Sequence, residues 1–336
     1  MTVYIYLFII STILSFFKKN NFLLFSLYLL LLCIGSFRSI DVGTDTSNYE
    51  DMYKIINSGE EGRQFISAFV EPGWVFINYI CGHFFDNYRP ILFIGIFLSI
   101  TPFFMRLWKS HDYPFHAVFF YITLYFYYNS FNITRQMIAI SIILFCFDYL
   151  KKKQNIKFII GILCAMLFHY SAFFCLCYIW IIKKIKITTT NAFIILSSTY
   201  LMGIYVIPLL IPHIPLVGHY SAYLMDTTSS GSATRILLNA FFIFILVACD
   251  KRKIEPYLNL FFVGIIIYNL FAFSSAVGRL ALYFTSIQLF LYPMMTSRYV
   301  VNSYILRLCS FIYASTYYFL MLNANSGEIV PYQIWE

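Results

Sequence analysis

Charge is scarce in this sequence. Asp, Glu, Lys and Arg make up only 11% of its 336 residues, against about 25% in a soluble domain. That deficit excludes a soluble enzyme, a disordered tail and a nucleic-acid binder. Zinc-site spacing is absent too: Cys33, Cys81, Cys146, Cys164, Cys175, Cys177, Cys249 and Cys309 all lie within or beside apolar stretches. There cysteine behaves as a small hydrophobe, so neither a metal site nor a disulfide framework is expected. The start, MTVYIYLFII, has no basic run and no small-residue cleavage site, and reads as a first helix, not a removed signal. No internal repeat of the transporter kind is found.

What is abundant is apolar surface. Hydrophobic residues are 60% of the chain, with 38 Phe and 29 Tyr, and the mean hydropathy is +0.74. A membrane-spanning helix takes roughly 20 apolar residues, and apolar stretches run end to end without room for a soluble domain. The expectation is an all-α polytopic integral membrane protein, residues 1–336 forming a single domain.

Apolar segments fall near 3–17, 22–37, 72–85, 90–107, 114–128, 134–149, 156–169, 171–182, 189–207, 236–249, 257–273, 280–295 and 304–321. Cytoplasmic loops are enriched in Lys and Arg. Lys18 and Lys19, Lys151 to Lys153 with Lys157, Lys183, Lys184 and Lys186, and Lys251, Arg252 and Lys253 therefore mark the inner side, joined by Arg298 and Arg307. Two longer loops, at about 38–71 and 208–235, face outward. Segment 72–85 has outward loops at both ends and opens with Glu71-Pro72-Gly73, so it is expected to be re-entrant, leaving about 12 spans. Within the first loop, Ser47 to Asn57 predicts a short interfacial helix capped by Ser47, with acids in its first turn. The second loop opens with Pro208, Pro212 and Pro215 and ends in a small polar run, suggesting a hinge or lid.

Four clusters carry chemistry-bearing residues. Arg38-Ser-Ile-Asp41-Val-Gly43-Thr-Asp45, followed by Tyr49, closes the second helix with two carboxylates four apart. Such a turn suits a general base or a cation, or simply a solvated loop. Thr134-Arg135-Gln136 opens an apolar helix. An arginine at that depth implies an anionic partner or a snorkelling side chain, and a helix N-terminus favours anions. Phe168-His169-Tyr170-Ser171 forms a tight turn, and histidine titrates near neutrality. Gly278-Arg279, with Tyr283 one turn on, repeats the arginine-at-helix-end pattern. Under this topology Arg38, Arg135, His169 and Arg279 share the external side, which suits a membrane-embedded diphosphate. Among weaker candidates are His83, His111, His116, His213 and His219, while Asp148 reads as an interfacial ion-pair partner.

Taken in order, R-x-x-D-x-G-x-D-x-x-x-Y, Glu71-Pro72, N-x-x-R-Q, H-Y-S and G-R resemble the EpsG-like branch of the Wzy-type bacterial polysaccharide polymerases, over about residues 30–290. The resemblance implies a GT-C-like glycosyltransferase of the inner membrane, active at the periplasmic face. It would transfer a growing glycan from undecaprenyl diphosphate to the nonreducing end of a lipid-linked repeat unit, making O-antigen or exopolysaccharide. No cofactor and no metal are implied. The partners would be lipid-linked oligosaccharide repeat units and the bilayer, with a chain-length regulator as a candidate. On this reading Arg135 and Arg279 hold the donor diphosphate, and one of Asp41, Asp45, Glu71 and His169 takes the acceptor proton. Arg38, Tyr49 and Tyr283 orient them, with Gln136 beside the substrate. An O-antigen ligase and a flippase of the same lipid-linked unit are the rival readings. The first is disfavoured by a modest late loop, the second by charges gathered at one face.

Overall fold

A backbone in lipid must satisfy its own N–H and C=O groups, and the helix does so locally. In the computed structural model, which describes residues 1–109, 113–185, 187–210, 232–249, 254–271, 273–295 and 303–335, every named element is a helix. One isolated bridge pairs Arg38 with Ile334. Most of the late loop (211–231, with His213 and His219) lies outside the described residues, as do His111, Lys186, Lys251, Arg252, Lys253 and Arg298.

The chain divides into two compact units, Met1–Leu176 with Tyr318–Glu336, and Cys177–Tyr317. The first holds α1 (Thr2–Ser15), α2 (Asn21–Ser36), α3 (Thr46–Asn57), α4 (Glu60–Ser67), α5 (Pro72–Phe84), α6 (Arg89–Lys109), α7 (Pro114–Thr123), α8 (Phe126–Asn132), α9 (Thr134–Lys151) and α10 (Asn155–Met166). A 3-10 turn, Tyr170–Cys177, follows. The second unit holds α11 (Tyr178–Lys184), α12 (Thr189–Leu201), α13 (Ile207–Leu210), α14 (Ser232–Ala248), α15 (Glu255–Leu270), α16 (Ser275–Gly278), α17 (Ala281–Thr285) and α18 (Gln288–Met295). The last helix, α19 (Ser303–Asn323), begins there and ends in the first unit.

Among the described residues three helical runs are long and apolar enough to cross a membrane: Arg89–Lys109, Thr189–Leu210 and Tyr304–Asn323. Seven more apolar helices have 10–17 residues. Helix α5 spans 13 residues, about 20 Å at 1.5 Å per residue, short of a hydrocarbon core of about 30 Å. It packs on α3, α4 and α6.

In the first unit α6 lies along α9 and α1 along α7. Pro102 stands inside α6, and the adjacent Phe103 N–H donates to Ser141 Oγ of α9 at 3.2 Å. Arg106, 7% exposed, donates to the Leu144 carbonyl at 2.7 Å and pairs with Asp148 at 2.8 Å. A cation deep in an apolar helix pair is thereby supplied with acceptors.

Several expectations need correction. Loop 38–71 contains two helices, and the first starts at Thr46, with Asp45 at the N-cap position and no side-chain cap. Ser47 is thus inside the helix, and no acid lies in its first turn. Segment 114–128 breaks in two because Tyr125 adopts φ 68°, a conformation that tyrosine rarely takes. Segment 171–182 begins as the 3-10 turn, and segment 280–295 divides between α17 and α18.

Candidate functional site

The site begins with a close backbone approach. Pro72 takes the first position of α5, where its missing N–H is no loss. Next to it the Gly73 N–H donates to the Leu167 carbonyl at 2.8 Å. A Cβ on Gly73 would lie 2.6 Å from that oxygen, so only glycine lets α5 start against the turn that follows α10. This contact brings Glu71, at the N-cap position of α5, beside the His169-Tyr170 turn.

Glu71 is buried, 3% exposed, and both its oxygens are engaged. Oε2 accepts from Nη1 of Arg135, the second residue of α9. Oε1 accepts from Nδ1 of His169 at 2.8 Å and from the Tyr170 backbone N–H at 3.3 Å. Burial alone would push the Glu71 carboxyl up, but the His169 hydrogen bond and the Arg135 charge outweigh it, holding it below the ordinary glutamate range. An ionised carboxylate only accepts, so Nδ1 of His169 carries the proton and Nε2 is left as a proton acceptor. The His169 side chain is 29% exposed, and its Nε2 has no hydrogen-bond partner among the described residues. A cleft of about 360 Å³ is lined by Pro72 and Tyr170, the chain neighbours of Glu71 and His169, together with Arg63, Val75, Phe76 and Tyr79.

Tyr49 also joins this group. Its ring packs edge-on against Trp74 at 5.3 Å, and the Arg135 guanidinium stands 6.0 Å from its centre. Gln136 is buried on α9 directly after Arg135.

The first-loop motif is placed differently. Arg38, 1% exposed, donates to the Gly35 and Phe131 carbonyls and stacks on the Phe131 ring at 4.7 Å. Gly43 has φ +106°, and a Cβ there would meet Asn132 at 2.8 Å. The Gly43 and Thr44 N–H groups donate to the Glu328 and Gly327 carbonyls, both at 3.2 Å. Asp41 is exposed and accepts from Ser39 Oγ at 3.3 Å, while Asp45 stands at the start of α3. The Glu71 carboxylate itself is met by Arg135, His169 and the Tyr170 N–H, and not by the first-loop motif. The first loop is thus held by the C-terminal tail, a role for Gly43 that its place in the motif did not disclose.

Arg279 and Tyr283 belong to the second unit. The Tyr283 carbonyl accepts from Tyr178 Oη at 2.5 Å, and its side chain is fully buried. Sequence reasoning passed over Trp74, the Tyr170 N–H and the cleft. Trp74 could have been found from its spacing, one turn inside a helix that opens Glu-Pro-Gly. Among the described residues no three His, Cys, Asp or Glu side chains gather as ligands for a metal ion.

Fold and site together define an all-α polytopic membrane protein with an ion-paired Glu–His–Arg cluster at its helix ends. The EpsG family model matches residues 21–334, and the chain belongs to the EpsG family, which is associated with polysaccharide polymerase-like proteins. No curated protein and no solved structure matches it.

Proposed function

We propose that this protein is a Wzy-type polysaccharide polymerase of the bacterial inner membrane. It moves a growing glycan from undecaprenyl diphosphate to the nonreducing end of a lipid-linked repeat unit at the periplasmic face. The observation that carries the reading is the Glu71–His169 pair: a buried carboxylate fixes the imidazole and leaves Nε2 as its proton acceptor, and their chain neighbours Pro72 and Tyr170 line a cleft with an aromatic wall.

The acceptor sugar lies in the cleft against Phe76, Tyr79 and Tyr170, whose flat faces suit a sugar ring. His169 Nε2 takes the proton from the acceptor hydroxyl as its oxygen forms the new bond to the anomeric carbon of the donor. The bond from that carbon to the diphosphate breaks, and the diphosphate lipid leaves with the electron pair. Glu71 keeps the imidazole in the competent tautomer and balances the positive charge it gains. Arg135 holds Glu71 in place. Because one of its N–H groups is already given to Glu71, its main part is to position the base, and diphosphate binding is secondary.

The test uses purified protein in nanodiscs with its lipid-linked repeat unit and no nucleotide sugar. A glycan ladder from the unaltered protein, absent with His169→Gln, is the expected result. Translocation of the lipid-linked unit without any ladder would make the protein a flippase, and transfer only to a lipid A core would make it a ligase.

A further inference from the structure

The second unit contains a buried cation that the polymerase chemistry above does not use. Arg235, on the first turn of α14, is 4% exposed. Among the described residues its Nε and Nη1 groups are buried without a hydrogen-bond acceptor. The guanidinium stacks over the Tyr200 ring at 5.4 Å, a contact that offers no lone pair. No carboxylate pairs with it among the described residues, where the salt bridges involve Lys54, Arg106, Arg135 and His169. The other deeply buried arginines among the described residues differ: Arg38 reaches two carbonyls, and Arg106 a carbonyl and a carboxylate.

Two further features stand beside it. Arg235 is the fourth residue of a 17-residue helix, so its side chain leans toward an end that carries free N–H groups and a positive dipole. One turn on, Asn239 pairs with Asn269 at 2.9 Å, and Asn269 reaches Thr199 at 3.3 Å. These amides tie α12, α14 and α15 together and satisfy one another, so the only unmet demand in this polar group is the guanidinium's. A charge kept in an apolar unit without an internal acceptor marks an external anion. Two open donors and a helix end suit a multi-oxygen phosphate group better than a single carboxylate. The same helix exposes Ile236 and Val247, 55% and 72%, an apolar flank for a hydrocarbon chain.

We propose that Arg235 and the first-turn N–H groups of α14 bind the diphosphate of a lipid-borne substrate. The choice of a prenyl carrier rests on the polymerase reading above, whereas the anion site does not. The experiment measures binding and thermal unfolding of the full-length protein in nanodiscs, using farnesyl diphosphate, inorganic diphosphate and farnesol as probes. Farnesyl diphosphate should bind and raise Tm. Arg235→Met should weaken that binding by about 10- to 100-fold, the worth of a lost charged hydrogen bond, and abolish the shift in Tm. Without ligand, Arg235→Met should melt no more than slightly below the unaltered protein, because among the described residues it removes no ion pair and only the contact with the Tyr200 ring, against which methionine still packs. A clear drop in ligand-free Tm would reveal a structural partner and overturn the proposal, as would binding unchanged by the substitution. Equal affinity for inorganic diphosphate would overturn its lipid-borne part. If Arg235→Met still polymerises at the full rate, this inference falls and the polymerase stands. If the diphosphate binds through Arg235 but no ladder forms, the reverse holds.

Discussion

At the scale of single residues, the Glu71 carboxylate decides most of what the cluster does. Its acidity is strengthened in the folded protein, so folding favours the ionised form. The linked stability is fully present above the ordinary glutamate range and is lost as pH falls through the lower, folded-state value. Thermal unfolding followed between neutral and acid pH should therefore show Tm dropping on the acid side. Glu71→Gln should flatten that dependence and lower the neutral-pH Tm, because it leaves Arg135 with a neutral acceptor. An unchanged pH dependence in the variant would mean that other carboxylates carry it. In turnover, His169→Gln should cost about 10²- to 10⁴-fold in kcat, the usual worth of a positioned proton acceptor, with the acceptor's KM little changed. Glu71→Gln should follow in the same direction, since an amide can present its NH₂ to Nδ1 and reverse the tautomer. If Asp41→Asn were to remove activity as fully as His169→Gln, the base would have to be sought in the first loop.

At the scale of elements, the site depends on how closely α5 approaches the turn after α10. Gly73→Ala should test this without touching a polar group. Its Cβ would stand 2.6 Å from the Leu167 carbonyl, forcing the two backbones apart and lengthening the Glu71–His169 hydrogen bond. Overpacking of this kind costs about 1–3 kcal/mol, and kcat should fall alongside Tm. Full activity in a stable Gly73→Ala protein would show that the approach is not needed. The helices themselves were legible in the sequence: segments 22–37, 90–107 and 134–149 correspond to α2, α6 and α9 within a few residues. Long apolar runs leave a lipid-embedded backbone no other way to satisfy its hydrogen bonds. The breaks were not legible, because a tyrosine at φ 68° is imposed by packing and not by its own preference. The Glu-Pro-Gly and His-Tyr-Ser motifs were each visible as candidates. That they meet was not, since 98 residues separate Glu71 from His169 and no local pattern encodes such a pairing.

At the scale of the whole molecule, the two ends of the first unit are sewn together. The tail after α19 lies along the end of α2: the Ser39 N–H donates to the Gln333 carbonyl and the Trp335 N–H to the Phe37 carbonyl, both at 2.8 Å. Gly43 and Thr44 bond to Glu328 and Gly327. Tyr332 Oη donates to the Ile34 carbonyl at 2.9 Å, and Arg89 stacks over Trp335 at 4.9 Å. Nothing in the sequence marked the tail as a partner of the first loop, because pairings across nearly 300 residues leave no mark on composition or period. The consequence is that the conformation of the first loop is a property of the folded unit and not of the loop. Removing residues 327–336 should therefore release the Ser39, Gly43 and Thr44 amides to rapid hydrogen exchange. The amides in the middle of α9, whose acceptors lie within their own helix, should stay protected. Because the loop leads directly into α3, which carries Tyr49 to the Arg135 guanidinium, polymerase activity should fall with that protection. Exchange at the three amides that matches the full-length protein would mean that the turn around Gly43 holds itself, and the first-loop motif would then need a reason nearer to the chemistry.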